Sequence, residues 1–328
     1  MRIVLLHNEV PEGSSADVAD VLVQVEAIGG AGHRLGHQCV VLPFLLDLPL
    51  VSRALSAAGP DVVFNLVESA GGSDRGMMLA PLLLEQIHLR YTGAPLECLQ
   101  LSLCKTLAKR WMLACGLPTP RWWEDSSSIP EDPPLDRVIV KTVWEHGSVG
   151  ICDDSVFRAC TVPELIGEVR RRAARSGKVL FAEEYVEGRE FNLSVLQVDT
   201  RAIVLSPAEI DFSGFPADRP RIVGFDAKWN LESFDYVSTP RRFEFPKADE
   251  VLLDQLRRLA LECWSRFRCR GYARVDFRVN LQGEPSILEV NANPCLSPDA
   301  GFAAAASRSG FSYDDLIHHI LESAAPPL

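Results

Sequence analysis

Arg274, Asp276, Glu289 and Asn291 stand in two short, otherwise apolar runs, Ala273-Arg-Val-Asp-Phe and Ser286-Ile-Leu-Glu-Val-Asn. Side chains two apart in a strand share a face, so Arg274 projects with Asp276 and Glu289 with Asn291. The link Asn280-Leu-Gln-Gly-Glu-Pro reads as a hairpin turn, which makes the two runs antiparallel neighbours. Two carboxylates, one amide and one guanidinium then meet on a single face. Polar groups crowded on an apolar strand are costly unless they reach water or ions. An all-oxygen donor set without Cys or His suits Mg²⁺. A solvent-facing strand pair with an incidental salt bridge would read the same, so further signals are needed.

Those signals lie upstream. Lys141 follows the apolar Val138-Ile-Val, and Glu145-His-Gly-Ser-Val-Gly comes after the short Thr142-Val-Trp link. Gly147 and Gly150, flanking Ser148, let backbone approach a ligand closely, and successive N–H groups can cradle phosphate oxygens. Next comes Phe181-Ala-Glu183-Glu184-Tyr185-Val186-Glu187-Gly188-Arg189-Glu190, a strand that ends in clustered acids before a glycine. Carboxylates only accept hydrogen bonds, which suits ribose hydroxyls and an adenine amino group. Taken singly, each segment also fits a turn or a solvated loop.

The elements that must carry these groups fall into three regions. Residues 1–96 alternate strand and helix patterns. Strands are expected at 2–6, 38–43, 61–67 and 89–92, with helices at 15–28 (stopped by Gly29-Gly30), 48–58 and 77–87. Strict alternation implies a parallel, Rossmann-like sheet with right-handed crossovers. The G-x-G-x-x-G fingerprint is missing after the first strand, so a dinucleotide site there is not expected. Residues 97–186 read as a helix at 99–115, a Ser/Pro/acid-rich exposed loop at 126–134, strands at 137–141 and 179–186, and a helix at 163–176. Residues 187–328 read as strands at 192–198 and 203–210, an irregular stretch at 212–241, a helix at 250–267, the hairpin, and a helix at 312–322.

Composition sets outer bounds. The 328 residues are 47% hydrophobic and 23% charged, with a formal charge of −11, a globular balance that argues against nucleic-acid or anionic-membrane binding. The longest apolar stretch, residues 40–51, is broken by two prolines and Asp47, well short of the roughly 18 residues a membrane span needs. The N-terminus has too short an apolar run for a signal core. Nine cysteines with no C-x-x-C pair or zinc spacing fit reduced thiols in a cytoplasmic protein.

In order and spacing, Lys105, Lys141 with the Gly-Ser-Val-Gly loop, Glu-Glu-Tyr-Val-Glu-Gly-Arg-Glu, Ala-Lys228, Arg-Val-Asp276 and Leu-Glu-Val-Asn291-x-Asn-Pro resemble the ATP-grasp superfamily. Within it the likeness is to the D-alanine–D-alanine ligases, from about Phe64 to the last helix. The resemblance implies an α/β and α+β architecture: a Rossmann-like pre-ATP-grasp domain (1–96), a central ATP-grasp lobe (97–186) and a C-terminal lobe with the metal site (187–328). It also implies a ligase that joins a small carboxylate to an amine through an acyl phosphate, releasing ADP and phosphate. Matched motif by motif, Lys105, Lys141 and the Gly147–Gly150 loop with Ser148 would hold ATP phosphates. Glu183, Tyr185 and Val186 would frame adenine and Glu190 the ribose. Lys228 would reach the γ-phosphate. Asp276, Glu289 and Asn291 would bind two Mg²⁺ ions, or Mn²⁺ in their place, and Arg274 would stabilise the oxyanion. A homodimer through the N-terminal unit is the family's common arrangement.

The sequence departs from the resemblance where the amino acids bind. The family's Gly-Gly-x-Ser-x-Glu-Arg-Glu segment is absent after the first strand, the loop serine's place holds Gly147, and Trp229 replaces a tyrosine. Pro-Cys295-Leu-Ser follows where Pro-Gly-x-Thr is usual. Glu9 and Glu68, each ending an N-terminal strand, and Cys295 are the replacement candidates. These departures lead to an expected ligase for another substrate pair in specialised small-metabolite or peptide biosynthesis. True D-alanine–D-alanine ligation in peptidoglycan precursor synthesis is the alternative, followed by a small-molecule kinase and a non-catalytic nucleotide sensor.

Overall fold

The computed structural model describes residues 1–125, 136–144, 147–159 and 161–324. The expected exposed loop at 126–134 and His146 lie outside these residues. β1 (Arg2–Asn8) is buried along all but its first residue, as its continuous apolar run requires for a strand covered on both faces. It pairs in parallel with β2 (Gln38–Phe44) on one side and β3 (Val62–Leu66) on the other. α1 (Ala16–Arg34) does not stop at Gly29-Gly30 as expected; it runs on to Arg34. The glycines there serve packing. A Cβ on Gly32 would stand 2.6 Å from the Cys39 sulfur, so a larger residue at that turn would force the Cys39 side chain to move.

α2 (Leu48–Ala58) begins where Asp47 accepts a hydrogen bond from the Leu50 N–H (3.0 Å) and ends at Gly59 in the left-handed region. The helix expected at 77–87 is a 3₁₀ turn at Asp74–Met78 followed by α3 (Leu79–Gln86). The strand expected at 89–92 is reduced to one bridge, Tyr91 to Val63.

The single helix expected at 99–115 is two, α4 (Leu96–Ser102) and α5 (Lys105–Ala114). The chain breaks at Cys104, which is extended, and the Lys105 N–H bonds the Val143 carbonyl beyond the end of β5 (3.0 Å). Lys105 thus opens a fresh helix beside the strand that carries Lys141. β4 (Trp122–Trp123), β5 (Val138–Thr142), β6 (Val156–Phe157) and β7 (Leu180–Glu184) form an antiparallel sheet in the order β4-β7-β5-β6. α6 (Val162–Ser176), capped by the Thr161 hydroxyl, packs Leu165 and Val169 against Val138, Val140 and Ala182 of that sheet.

The third sheet runs β11-β10-β8-β12-β13, with β9 also paired to β8. Its strands are β8 (Gly188–Val198), β9 (Arg201–Val204), β10 (Ala208–Ile210), β11 (Arg241–Arg242), β12 (Tyr272–Asn280) and β13 (Pro285–Asn291). The strand expected at 203–210 is therefore divided. Pro207, between β9 and β10, has no N–H to give a ladder. The irregular stretch 212–241 contains two single-turn helices, α7 (Asp226–Trp229) and α8 (Phe234–Val237). α9 (Glu250–Arg266) covers one face of the sheet, burying Leu253, Leu256, Ala260 and Cys263. α10 (Gly301–Arg308), an alanine-rich helix absent from the sequence expectation, precedes α11 (Tyr313–Glu322). α11 packs Leu316 and Ile317 into the core that also holds Ile3, Leu5 and Val25, so the chain's end returns to its beginning.

Candidate active site

The hairpin forms as its alternation dictates. β12 and β13 are antiparallel, with Arg274 opposite Asn291 and Asp276 opposite Glu289. The Arg274 guanidinium grips Asp276 through two bonds, Nε to Oδ1 and Nη2 to Oδ2, both 2.7 Å. Asn192 of β8 donates a third bond to Asp276 Oδ1 (2.8 Å). Burial alone would lower the Arg274 pKa, but Asp276 and Glu289 outweigh it and hold the guanidinium above its ordinary value. Asn291 turns its amide oxygen to the Asn293 N–H (3.0 Å).

Asp276 and Glu289 line a cleft, open to solvent, between the hairpin and the sheet of β4–β7. Lys105, Lys141 and Lys228 reach it from α5, β5 and α7. Burial depresses the ammonium pKa of both Lys105 and Lys228, as expected where charges are drawn out of water. Gly147 and Ser148 line the same space and Gly150 does not; all three have positive φ. Their loop is tied to the segment carrying Lys228. The Trp229 indole N–H donates to the Gly147 carbonyl (3.0 Å), the Ser148 hydroxyl to the Val223 carbonyl (2.7 Å), and the Phe225 N–H to the Ile151 carbonyl (3.1 Å).

Glu183, Tyr185, Val186 and Glu190 line the cleft as well. Glu183 is 1% exposed and faces two lysines, with Oε1 at 2.7 Å from Lys141 Nζ and Oε2 at 2.5 Å from Lys109 Nζ. Burial would raise its carboxyl pKa, but the two ammonium groups reverse the sign and hold it below the usual range. Arg278 ties the other three together. It donates to the Val186 carbonyl (3.0 Å), Glu190 Oε2 (3.2 Å) and the Tyr185 hydroxyl (3.4 Å). Burial, with Asp276 adding to it, raises the Glu190 pKa against the pull of Arg278.

Lys109 and Arg278 escape the sequence reading although both follow its periodicities. Lys109 lies one helical turn after Lys105, and Arg278 continues the two-residue alternation from Arg274 through Asp276.

The substrate candidates divide. Glu9 is exposed at the end of β1 and does not join the others. Glu68 and Cys295 meet at α1. Gln24 Nε2 donates to Glu68 (2.9 Å) and to Asp20 (3.2 Å), while the Cys295 thiol (3.1 Å) and the Ser297 hydroxyl (3.0 Å) also donate to Asp20. The Leu296 N–H closes the network on Gln24 Oε1 (3.0 Å). Asp20 and Gln24 lack any motif signal; only the fold brings α1 against the segment after β13. Burial pushes the Cys295 thiol pKa well up, which keeps it protonated and unsuited to nucleophilic attack.

Known proteins share this plan. Residues 135–322 match the family described as D-ala D-ala ligase C-terminus. The chain is 28% identical to D-alanine–D-alanine ligase of Bordetella avium, over 92% of this chain and 90% of that protein. It is 28% identical to that of Moorella thermoacetica, over 96% and 97%. The structure of the D-alanine–D-alanine ligase from Bacillus anthracis complexed with ATP superposes with a TM-score of 0.73 at 18% identity, covering 98% of this chain and 97% of that one. No helix among the described residues is long and apolar enough to cross a membrane. With more than half of its length matched to the family and the ATP-grasp architecture in place, the chain belongs to the D-ala D-ala ligase C-terminus family and is an ATP-dependent ligase that forms carbon–nitrogen bonds.

Proposed function

We propose that the cleft binds ATP with divalent cations and that the protein joins two small amino acids, D-alanine in both positions, through an acyl phosphate. The observation that carries the nucleotide half is the convergence of Lys105, Lys141, Lys228 and the glycine loop on the space lined by Asp276 and Glu289. The proposed division of labour is a substrate domain at 1–96, a central lobe at 97–186 and a metal-bearing lobe at 187–328.

The donor set fits the metal. Asp276 and Glu289 are cross-strand partners in the cleft, and their oxygens with the Asn291 amide are hard ligands of the kind Mg²⁺ takes, with Mn²⁺ an acceptable substitute. Bound there, the ions would neutralise charge on the transferring phosphoryl group. Lys228 reaches the γ-phosphate and Lys105 and Lys141 the others. Tyr185 and Val186 frame the adenine, with Glu183 behind them, and Glu190 takes the ribose. The substrate carboxylate attacks the γ-phosphorus and ADP leaves. The amine then attacks the acyl carbon and phosphate leaves. Arg274, braced by Asp276, would stabilise the oxyanion that forms on amine attack and collapses as phosphate leaves. No enzyme nucleophile is needed.

The names of relatives that span nine tenths of the chain support D-alanine. A related amino-acid pair is the second reading, favoured by the Asp20–Gln24–Glu68–Cys295–Ser297 network at the substrate end. The experiment is phosphate release with ATP, Mg²⁺ and D-alanine, with the dipeptide identified by mass. Turnover on D-alanine supports the first reading. Silence with D-alanine but release with another amino-acid pair selects the second, and release with no acid–amine pair tried would overturn both.

A further inference from the structure

We propose that Lys109 is a positioning residue for Lys141, acting through Glu183 to keep the Lys141 charge available to an anionic ligand. The inference rests on the reading of the cleft as a nucleotide site. Lys109 is 1% exposed, and a buried ammonium is tolerated only when paired. Its Nζ lies 2.5 Å from Glu183 Oε2 and 2.9 Å from the Thr119 hydroxyl, which in turn donates to the Ile287 carbonyl of β13 (2.9 Å). Lys109 is thus fixed from both the helix and the hairpin side, and it does not line the cleft.

The informative feature is the ratio of charges. A single lysine suffices to balance one buried carboxylate, and Lys141 already sits 2.7 Å from the other Glu183 oxygen. With Lys141 alone, the pair would be neutral and would offer little net attraction to a triphosphate. With Lys109 also present, the trio carries one surplus positive charge. The member that reaches the cleft is Lys141, whose side chain is 13% exposed against 1% for each of the others. Glu183 then fixes where the Lys141 ammonium stands, while Lys109 supplies the neutralisation that Lys141 would otherwise be spent on. A solely structural Lys109 would affect folding without selecting among ligands.

The test is calorimetric titration of Mg-ATP into the full chain and its variants, with kcat and KM measured alongside. Lys109→Met should weaken ATP binding about tenfold or more, with kcat at saturating ATP within about threefold. Lys109→Arg, which keeps the charge, should stay within about threefold of wild type. Adenosine, which carries no phosphate, should bind Lys109→Met within about twofold of wild type, because only the charge offered to the phosphates has changed. Wild-type ATP affinity in Lys109→Met, or an equal loss for ATP and adenosine, would overturn the proposal. Should Lys109→Met not fold, Lys109→Gln decides by the same comparison: a loss confined to ATP supports the role, and no loss or an equal loss refutes it. Lys141→Met separates the two levels. If it binds ATP as wild type does, the nucleotide reading itself fails; if it loses ATP while Lys109→Met does not, only the present proposal does.

Discussion

Asp276 and Glu289 face each other across the β12–β13 hairpin as direct register partners, and both open onto the cleft that Lys105, Lys141 and Lys228 enter from other elements. Two carboxylates opposed at this spacing would repel if left alone. Here Arg274 pairs with both oxygens of Asp276, which relieves that repulsion and leaves the three groups with one net negative charge facing a space where a divalent cation could join them. The strand that builds the fold also builds the site.

Replacing Glu289 by Gln should cut turnover by about 100-fold or more, because one anionic metal ligand becomes neutral. The fold should survive, since the side chain borders open space rather than filling the core. Steady-state ADP release and a thermal melt on the same preparation check both halves. Activity within a few-fold of wild type would remove Glu289 from the metal set.

Trp229→Phe keeps the ring and deletes the indole N–H that the Gly147 carbonyl accepts at 3.0 Å. One hydrogen bond is worth about 0.5–1.5 kcal/mol. The glycine loop should then close less firmly, with KM for ATP rising roughly 3–10-fold and kcat moving less. An equal rise in KM for the amino-acid substrates would place the indole at their end instead.

Burial, against a hydrogen bond from Gln24 and with Asp20 and Asp74 nearby, raises the Glu68 carboxyl from 4.5 to about 7. The folded state therefore binds this proton more tightly than the unfolded chain. Its contribution is fully favourable below about 4.5 and turns into a penalty as pH rises through about 7. Glu68→Gln should thus be more stable than wild type at pH 8, by roughly 1–3 kcal/mol, and should lose the pH slope between those values. Denaturant melts across that window read this directly, and identical pH profiles for the two proteins would contradict it.

Arg278→Met removes the donor shared by Val186, Tyr185 and Glu190. With Glu190 left buried and unpaired, ATP affinity should fall about tenfold or more. Titration with ATP gives the magnitude; affinity within twofold of wild type would show that these contacts do not shape the nucleotide end.

The sequence was legible where local periodicity and chemistry coincide. Arg274, Asp276, Glu289 and Asn291 could be placed from two-residue alternation and a hairpin turn, and the parallel β2-β1-β3 sheet from strand–helix alternation. Glycine misled where its role was tertiary: Gly29-Gly30 reads as a stop, yet the helix passes through, with Gly29 buried against Leu5 and Gly32 against Cys39. The break at Cys104 was hidden for a similar reason, since a distant carbonyl, that of Val143, receives the Lys105 N–H. Asp20 and Gln24 were invisible because the partners that close their network, Leu296 and Ser297, lie more than 270 residues away. Glu9, plausible at the end of β1, remains exposed, since nothing in strand position alone says which strand end the later chain will cover.

The most direct measurement is ATP binding by calorimetry in the presence and absence of Mg²⁺, for wild type and Glu289→Gln. Mg²⁺ should tighten ATP binding by wild type about tenfold or more, and the variant should lose most of this gain. Equal Mg²⁺ dependence in the two proteins, or ATP binding that ignores Mg²⁺ in wild type, would contradict this.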